Sequence, residues 1–81
     1  MDLDTLRETY PDVLFARDSA KHLIIIVLPS RIKDGVVDLP KALKFEAYAI
    51  IGFNEDGSYR RIKLLTPYSL ETAVNLCLDA Q

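Results

Sequence analysis

One cysteine, one histidine and three glycines in 81 residues leave little room for several kinds of chemistry. A single cysteine forms no internal disulfide, so a hydrophobic core has to hold the fold, and a reducing, cytoplasmic setting is expected. One His and one Cys fall short of the protein ligands that a zinc site needs. The glycines stand apart, at 35, 52 and 57, and build no phosphate-cradling loop. Apolar runs stay well below the roughly 18 residues that cross a bilayer. The longest, Leu23 to Leu28, has the length of a strand. Met1 is followed by Asp2 and Asp4, whereas a signal peptide starts basic and then turns apolar. No cofactor, metal or membrane partner is expected.

What remains is globular composition in one domain: 49% hydrophobic and 27% charged residues. The net charge of -2 and a pI of about 5.2 give no general attraction to nucleic acid or anionic lipid. A domain this short buries only ~60% of the surface its unfolded chain exposes. With a mean hydropathy of +0.09, some apolar surface is left for a partner.

Spacing and turn residues predict an α+β domain over residues 1–81, with a four-stranded, mainly antiparallel sheet made of two hairpins. Leu3, Leu6 and Tyr10 sit at helical spacing, with Asp2 or a Thr5–Glu8 capping box at the start and Pro11 at the end. Val13 to Arg17 and His22 to Leu28 read as strands around the Asp18–Lys21 turn. Residues 29–38 read as a polar loop with an Asp34-Gly35 turn, before a short helix over Leu39 to Phe45 that Asp38 would cap. Ala47 to Phe53 and Tyr59 to Leu65 form the second hairpin, closed by Asn54-Glu55-Asp56-Gly57-Ser58. Thr66 or Ser69, with Pro67, starts a final helix whose apolar stripe is Leu70, Ala73, Val74, Cys77 and Leu78.

Strand faces carry the functional argument, because side chains alternate with period two. The fourth strand alternates, with Ile62 and Leu64 on one side and Tyr59, Arg61 and Lys63 on the other. The second and third do not: Leu23, Ile25 and Val27 oppose Ile24, Ile26 and Leu28, and both faces are apolar. Such strands are buried on both sides. Either the helices divide between the faces, or another chain covers one. The second solution makes Ile24, Ile26, Leu28, Tyr48 and Ile50 an interface for a homodimer or another protein. The leading expectation is therefore a non-enzymatic interaction module of the inhibitor, immunity or accessory-subunit type.

The alternative rests on Tyr59, Arg60, Arg61 and Lys63, where cations beside an aromatic ring would bind phosphates and stack a base. RNA or single-stranded nucleic acid would then be the partner, or the substrate of a small ribonuclease. Charges on an outer strand also serve simply to discourage edge-to-edge aggregation. His22 reads as a half-exposed residue at the turn-to-strand junction without the partners of a catalytic base. Cys77, on the helix's apolar stripe, reads as a small buried hydrophobe.

Overall fold

The computed structural model describes residues 2–65 and 68–81. Helix α1 (Leu3–Thr9) begins at Asp2, whose carboxylate accepts from the Thr5 N–H at 2.8 Å, so Asp2 is the cap and the Thr5–Glu8 box is not used. Strands β1 (Val13–Arg17) and β2 (Leu23–Val27) form the first antiparallel hairpin. A short 3-10 turn over Pro29–Arg31 leads into β3 (Ile32–Lys33) and β4 (Val36–Val37), a two-stranded sheet of its own. Asp34 and Gly35 join them with φ of 54° and 77°, the paired positive angles of a type I′ turn. Helix α2 (Lys41–Glu46), strands β5 (Ala49–Phe53) and β6 (Tyr59–Leu64), and helix α3 (Leu70–Asp79) follow.

The main sheet has the order β1-β2-β5-β6 and is mixed. Both expected hairpins are present and supply two antiparallel pairings, as expected, but the central pair β2 and β5 runs parallel, so the sheet is mixed. The cause is the connection. Residues 28–48 carry the chain back along the sheet before β5 starts, and only a crossover of that length permits a parallel neighbour. The parallel pair is central and buried on both faces, as its unbroken apolar runs require.

The helices divide between the two faces. One core packs Leu6 of α1 and Leu43 of α2 against Val13, Phe15, Ile25 and Ile50. The other packs Ala73, Val74 and Cys77 of α3 against Ile24, Ile26, Ala49 and Ile51. Burial pushes the Cys77 thiol up to about 12, so it is a packing group rather than a nucleophile. Ser69 caps α3 by accepting from the Thr72 N–H; Thr66 and Pro67, the other start signals, lie outside the described residues. Helix α2 starts later than expected and Asp38 does not cap it. Asp38 is held elsewhere, its N–H donating to the Arg31 carbonyl at 2.7 Å and its own carbonyl accepting from the Arg31 guanidinium.

Arg31 fastens the crossover to the sheet. Its guanidinium grips both carboxylate oxygens of Asp12 at 2.8 and 2.9 Å and lies over the Tyr10 ring. Two parallel charge-assisted bonds of this kind are stronger than an ordinary surface ion pair. The crossover also presses on β5, where a Cβ at position 52 would stand 2.9 Å from Ile32 Cδ1 and 3.1 Å from Ile62 Cδ1. Gly52→Ala is expected to lower urea-unfolding stability by about 1 kcal/mol, and Gly52→Val by more, because overpacking forces side chains off their rotamers. Equal midpoints for the three proteins would show that the contact yields freely.

Candidate functional site

A β-bulge decides what β6 presents. Arg61 pairs with Ile51 but Lys63 pairs with Ile50, so Ile62 is the extra residue and the register shifts there. One inserted residue reverses the facing of everything after it. Tyr59, Arg61 and Leu64 therefore share the α3 face of the sheet with their partners Phe53, Ile51 and Ala49. Arg60, Ile62 and Lys63 belong to the α1/α2 face. The expected grouping of Tyr59, Arg61 and Lys63 on one side, with Ile62 and Leu64 on the other, is overturned.

Lys63 is occupied. Its Nζ donates to the carbonyls of Lys44 and Phe45 at 3.1 and 3.3 Å, satisfying the C-terminal end of α2 and complementing its dipole. Arg60 and Arg61 are exposed and carry no ion pair or hydrogen bond among the described residues. The Phe53 and Tyr59 rings pack at 5.0 Å between centroids, on the same face as Arg61.

The two outer strands of the sheet differ. Along β1 the Phe15 carbonyl accepts from the Arg7 guanidinium and from the Gln81 side-chain amide, each at 3.0 Å. Among the described residues no strand pairs with the far side of β6. The Asn54 N–H bonds the Ser58 carbonyl at 2.8 Å. By antiparallel alternation the main-chain groups of Tyr59 and Arg61 therefore turn outward. Between this strand and α3 runs an apolar cleft of about 460 Å3, lined by Tyr59, Leu70, Val74 and Leu78 with Glu71 and Asn75 at its rim. A second cleft of about 220 Å3 adjoins it through Tyr59 and Leu78, and has Ile26 and Leu28 in its wall.

Of the residues read as a sheet-face interface, Ile24, Ile26 and Ile50 are at most 3% exposed, covered by the chain's own helices. They have almost no surface to offer. Leu28 remains exposed at the mouth of the smaller cleft. Tyr48 remains half-buried at the other end of the sheet.

Around Tyr48 lies a cluster that sequence reasoning passed over. The Asp18 carboxylate, its side chain 4% exposed, sits in the first hairpin turn. Its Oδ1 accepts from the main-chain N–H of Ala20 and of His22 at 2.8 and 2.9 Å. Its Oδ2 accepts from His22 Nδ1 at 2.8 Å and from the Tyr68 hydroxyl. Burial alone would raise this carboxyl, but the bonds from Tyr68, His22 and Ala20 outweigh it and hold it down at about 2. The bond to Asp18 pushes the Tyr68 phenol up to about 12. The His22 ring stacks on Tyr48 at 3.9 Å, and Tyr48 meets Tyr68 edge-on. His22 is half-exposed, as expected, but it does have an orienting carboxylate four residues upstream. The Asp-x-x-x-His spacing across a hairpin turn was the signal.

The turn itself is strained. Both hairpins close with the same loop, an i to i+3 main-chain bond followed by a left-handed residue, which is Gly57 in one and Lys21 at φ 67° in the other. A left-handed L-residue costs about 1–2 kcal/mol, so Lys21→Gly is expected to stabilise the fold by about 0.5–1 kcal/mol after glycine's entropy is counted. A thermal midpoint at or below that of the parent would contradict the strain.

The Asp18 bonds also set a pH dependence. A carboxyl lowered from 3.8 to about 2 contributes stability that is complete above 3.8 and disappears as pH falls toward 2. The Tyr68 phenol, raised from 10.0 to about 12, contributes below pH 10 and loses its contribution as pH rises through 12. Urea unfolding of the parent and of Asp18→Asn should therefore differ at neutral pH and converge in acid; a difference that stays constant down to pH 2 would refute this. Among the described residues no group of three or more His, Cys, Asp or Glu could hold a metal ion, and no helix is long and apolar enough to cross a membrane. No family model, curated protein or solved structure matches this chain.

Proposed function

We propose that the chain is a non-enzymatic interaction module that takes an extended, acidic segment of another protein as an added strand along β6. The observation that carries the reading is a strand edge that, among the described residues, is unpaired and flanked by two unpaired arginines, Arg60 and Arg61. Strand addition draws affinity from main-chain hydrogen bonds and specificity from alternate side chains. A segment beside β6 would meet the outward main-chain groups of Tyr59 and Arg61. It would place acidic residues near Arg60 and Arg61, and apolar ones over the Tyr59–Leu70–Val74 cleft. The exposed ring of Phe45, whose own carbonyl Lys63 holds, offers a further apolar contact on the opposite face.

A second copy is the poorer occupant of this edge. Antiparallel pairing of β6 with itself brings Arg60, Arg61 and Lys63 opposite or diagonal to one another, and like charges so placed repel.

The test uses a fluorescent synthetic peptide alternating glutamate and valine, followed by anisotropy and by amide chemical shifts of the protein. Binding that weakens with salt and shifts the Tyr59–Leu64 amides is expected. Arg60→Glu/Arg61→Glu together should weaken it by about tenfold, two exposed ion pairs turned into repulsions. Unmoved β6 amides would refute the reading. Tighter binding of a mixed single-stranded RNA at the same amides would replace it with the nucleic-acid alternative.

A further inference from the structure

The Asp18–His22 pair lies at the other end of the sheet from Tyr59, so strand addition starting at that end of β6 does not explain it. Register fixes this separation: Tyr59 pairs with Phe53 at the end of β5, whereas the Leu65 N–H bonds the carbonyl of Tyr48, which precedes β5. The ionised, buried Asp18 can only accept, so the proton between it and His22 sits on Nδ1. In the neutral ring that tautomer leaves the lone pair on Nε2. This nitrogen makes no hydrogen bond among the described residues, on a side chain that is 41% exposed. The stack on Tyr48 fixes the ring plane, and the main-chain bonds to Asp18 fix the turn that carries both groups.

An oriented imidazole nitrogen that carries its lone pair on a part-exposed side chain is what in-line attack on a phosphorus atom requires. We propose that His22 Nε2 is a phosphoryl-acceptor site for small anionic donors of the phosphoramidate class. In the reaction the Nε2 lone pair forms the new N–P bond while the P–N bond of N-protonated phosphoramidate breaks. Ammonia leaves with that electron pair. Nδ1 keeps its proton, so the product ring is a phospho-imidazolium whose positive charge faces the Asp18 carboxylate and the Tyr48 ring. Both stabilise the charge as it develops. Lys21, exposed next to His22 and free of ion pairs among the described residues, adds attraction for an anionic donor. Asp18 is a positioning residue here, and His22 is the group that reacts.

The experiment incubates the intact chain with phosphoramidate, counts phosphoryl groups by intact mass and locates them by nitrogen and phosphorus NMR, with N-acetylhistidine as reference. One phosphoryl group on Nε2 is expected, arriving at least about tenfold faster than on N-acetylhistidine, the worth of one charge-assisted hydrogen bond. Asp18→Asn leaves one carboxamide oxygen for the Ala20 and His22 N–H groups and turns its NH2 toward Nδ1, removing both the charge and the acceptor that hold the tautomer, so the Nε2 product should form several-fold more slowly. Tyr48→Leu, which leaves the turn's hydrogen bonds in place, should also slow it. No adduct, attachment at Nδ1, or the rate of N-acetylhistidine would overturn the proposal.

Discussion

Everything in this fold depends on two short apolar strands lying parallel at the centre of the sheet. Ile24, Ile25, Val27, Ala49 and Ile51 have essentially no exposed surface, and residues buried on both faces need cover on both. That requirement sends α1 and α2 to one side and α3 to the other, and it makes residues 28–48 a crossover rather than a loop. The crossover in turn needs anchoring, which Arg31 supplies at Asp12, and close approach, which Gly52 permits. A chain of 81 residues can complete both layers because its connections are economical and its helices short.

The parts of this plan that sequence made legible are those governed by local chemistry. Asp34-Gly35 and Asn54–Ser58 announce their turns, the apolar stripe of α3 announces its buried face, and the doubly apolar strands announce central positions. Strand direction was less accessible. Runs such as Leu23–Val27 are what a parallel pair demands, yet hairpins on either side also suggested an antiparallel sheet, and only the span of residues 28–48 discriminates. The bulge at Ile62 was out of reach, since YRRIKL alternates well enough to conceal one extra residue. That single insertion separates Arg61 from Lys63 and alters the reading of the basic strand.

The polar cluster shows a different limit. Asp18 and His22 are close in sequence, and their pairing follows from the turn. Tyr68 reaches the same carboxylate from beyond β6, a contact that only the assembled sheet creates. Both proposed sites thus use the same device. A residue whose local role is structural, a turn carboxylate or an edge-strand arginine, gains a second role because tertiary packing leaves one of its neighbours open.

The stopper on β1 has a consequence for assembly. Copies joined head to tail, β6 of one against β1 of the next, would repeat without closing and grow into a filament. Arg7 and Gln81 occupy the carbonyl that such growth would need. The β1 side of the sheet is thereby blocked at that carbonyl, so extension through this side is hindered. A sheet blocked on one side has nowhere to repeat through β1, which works against the head-to-tail growth of copies.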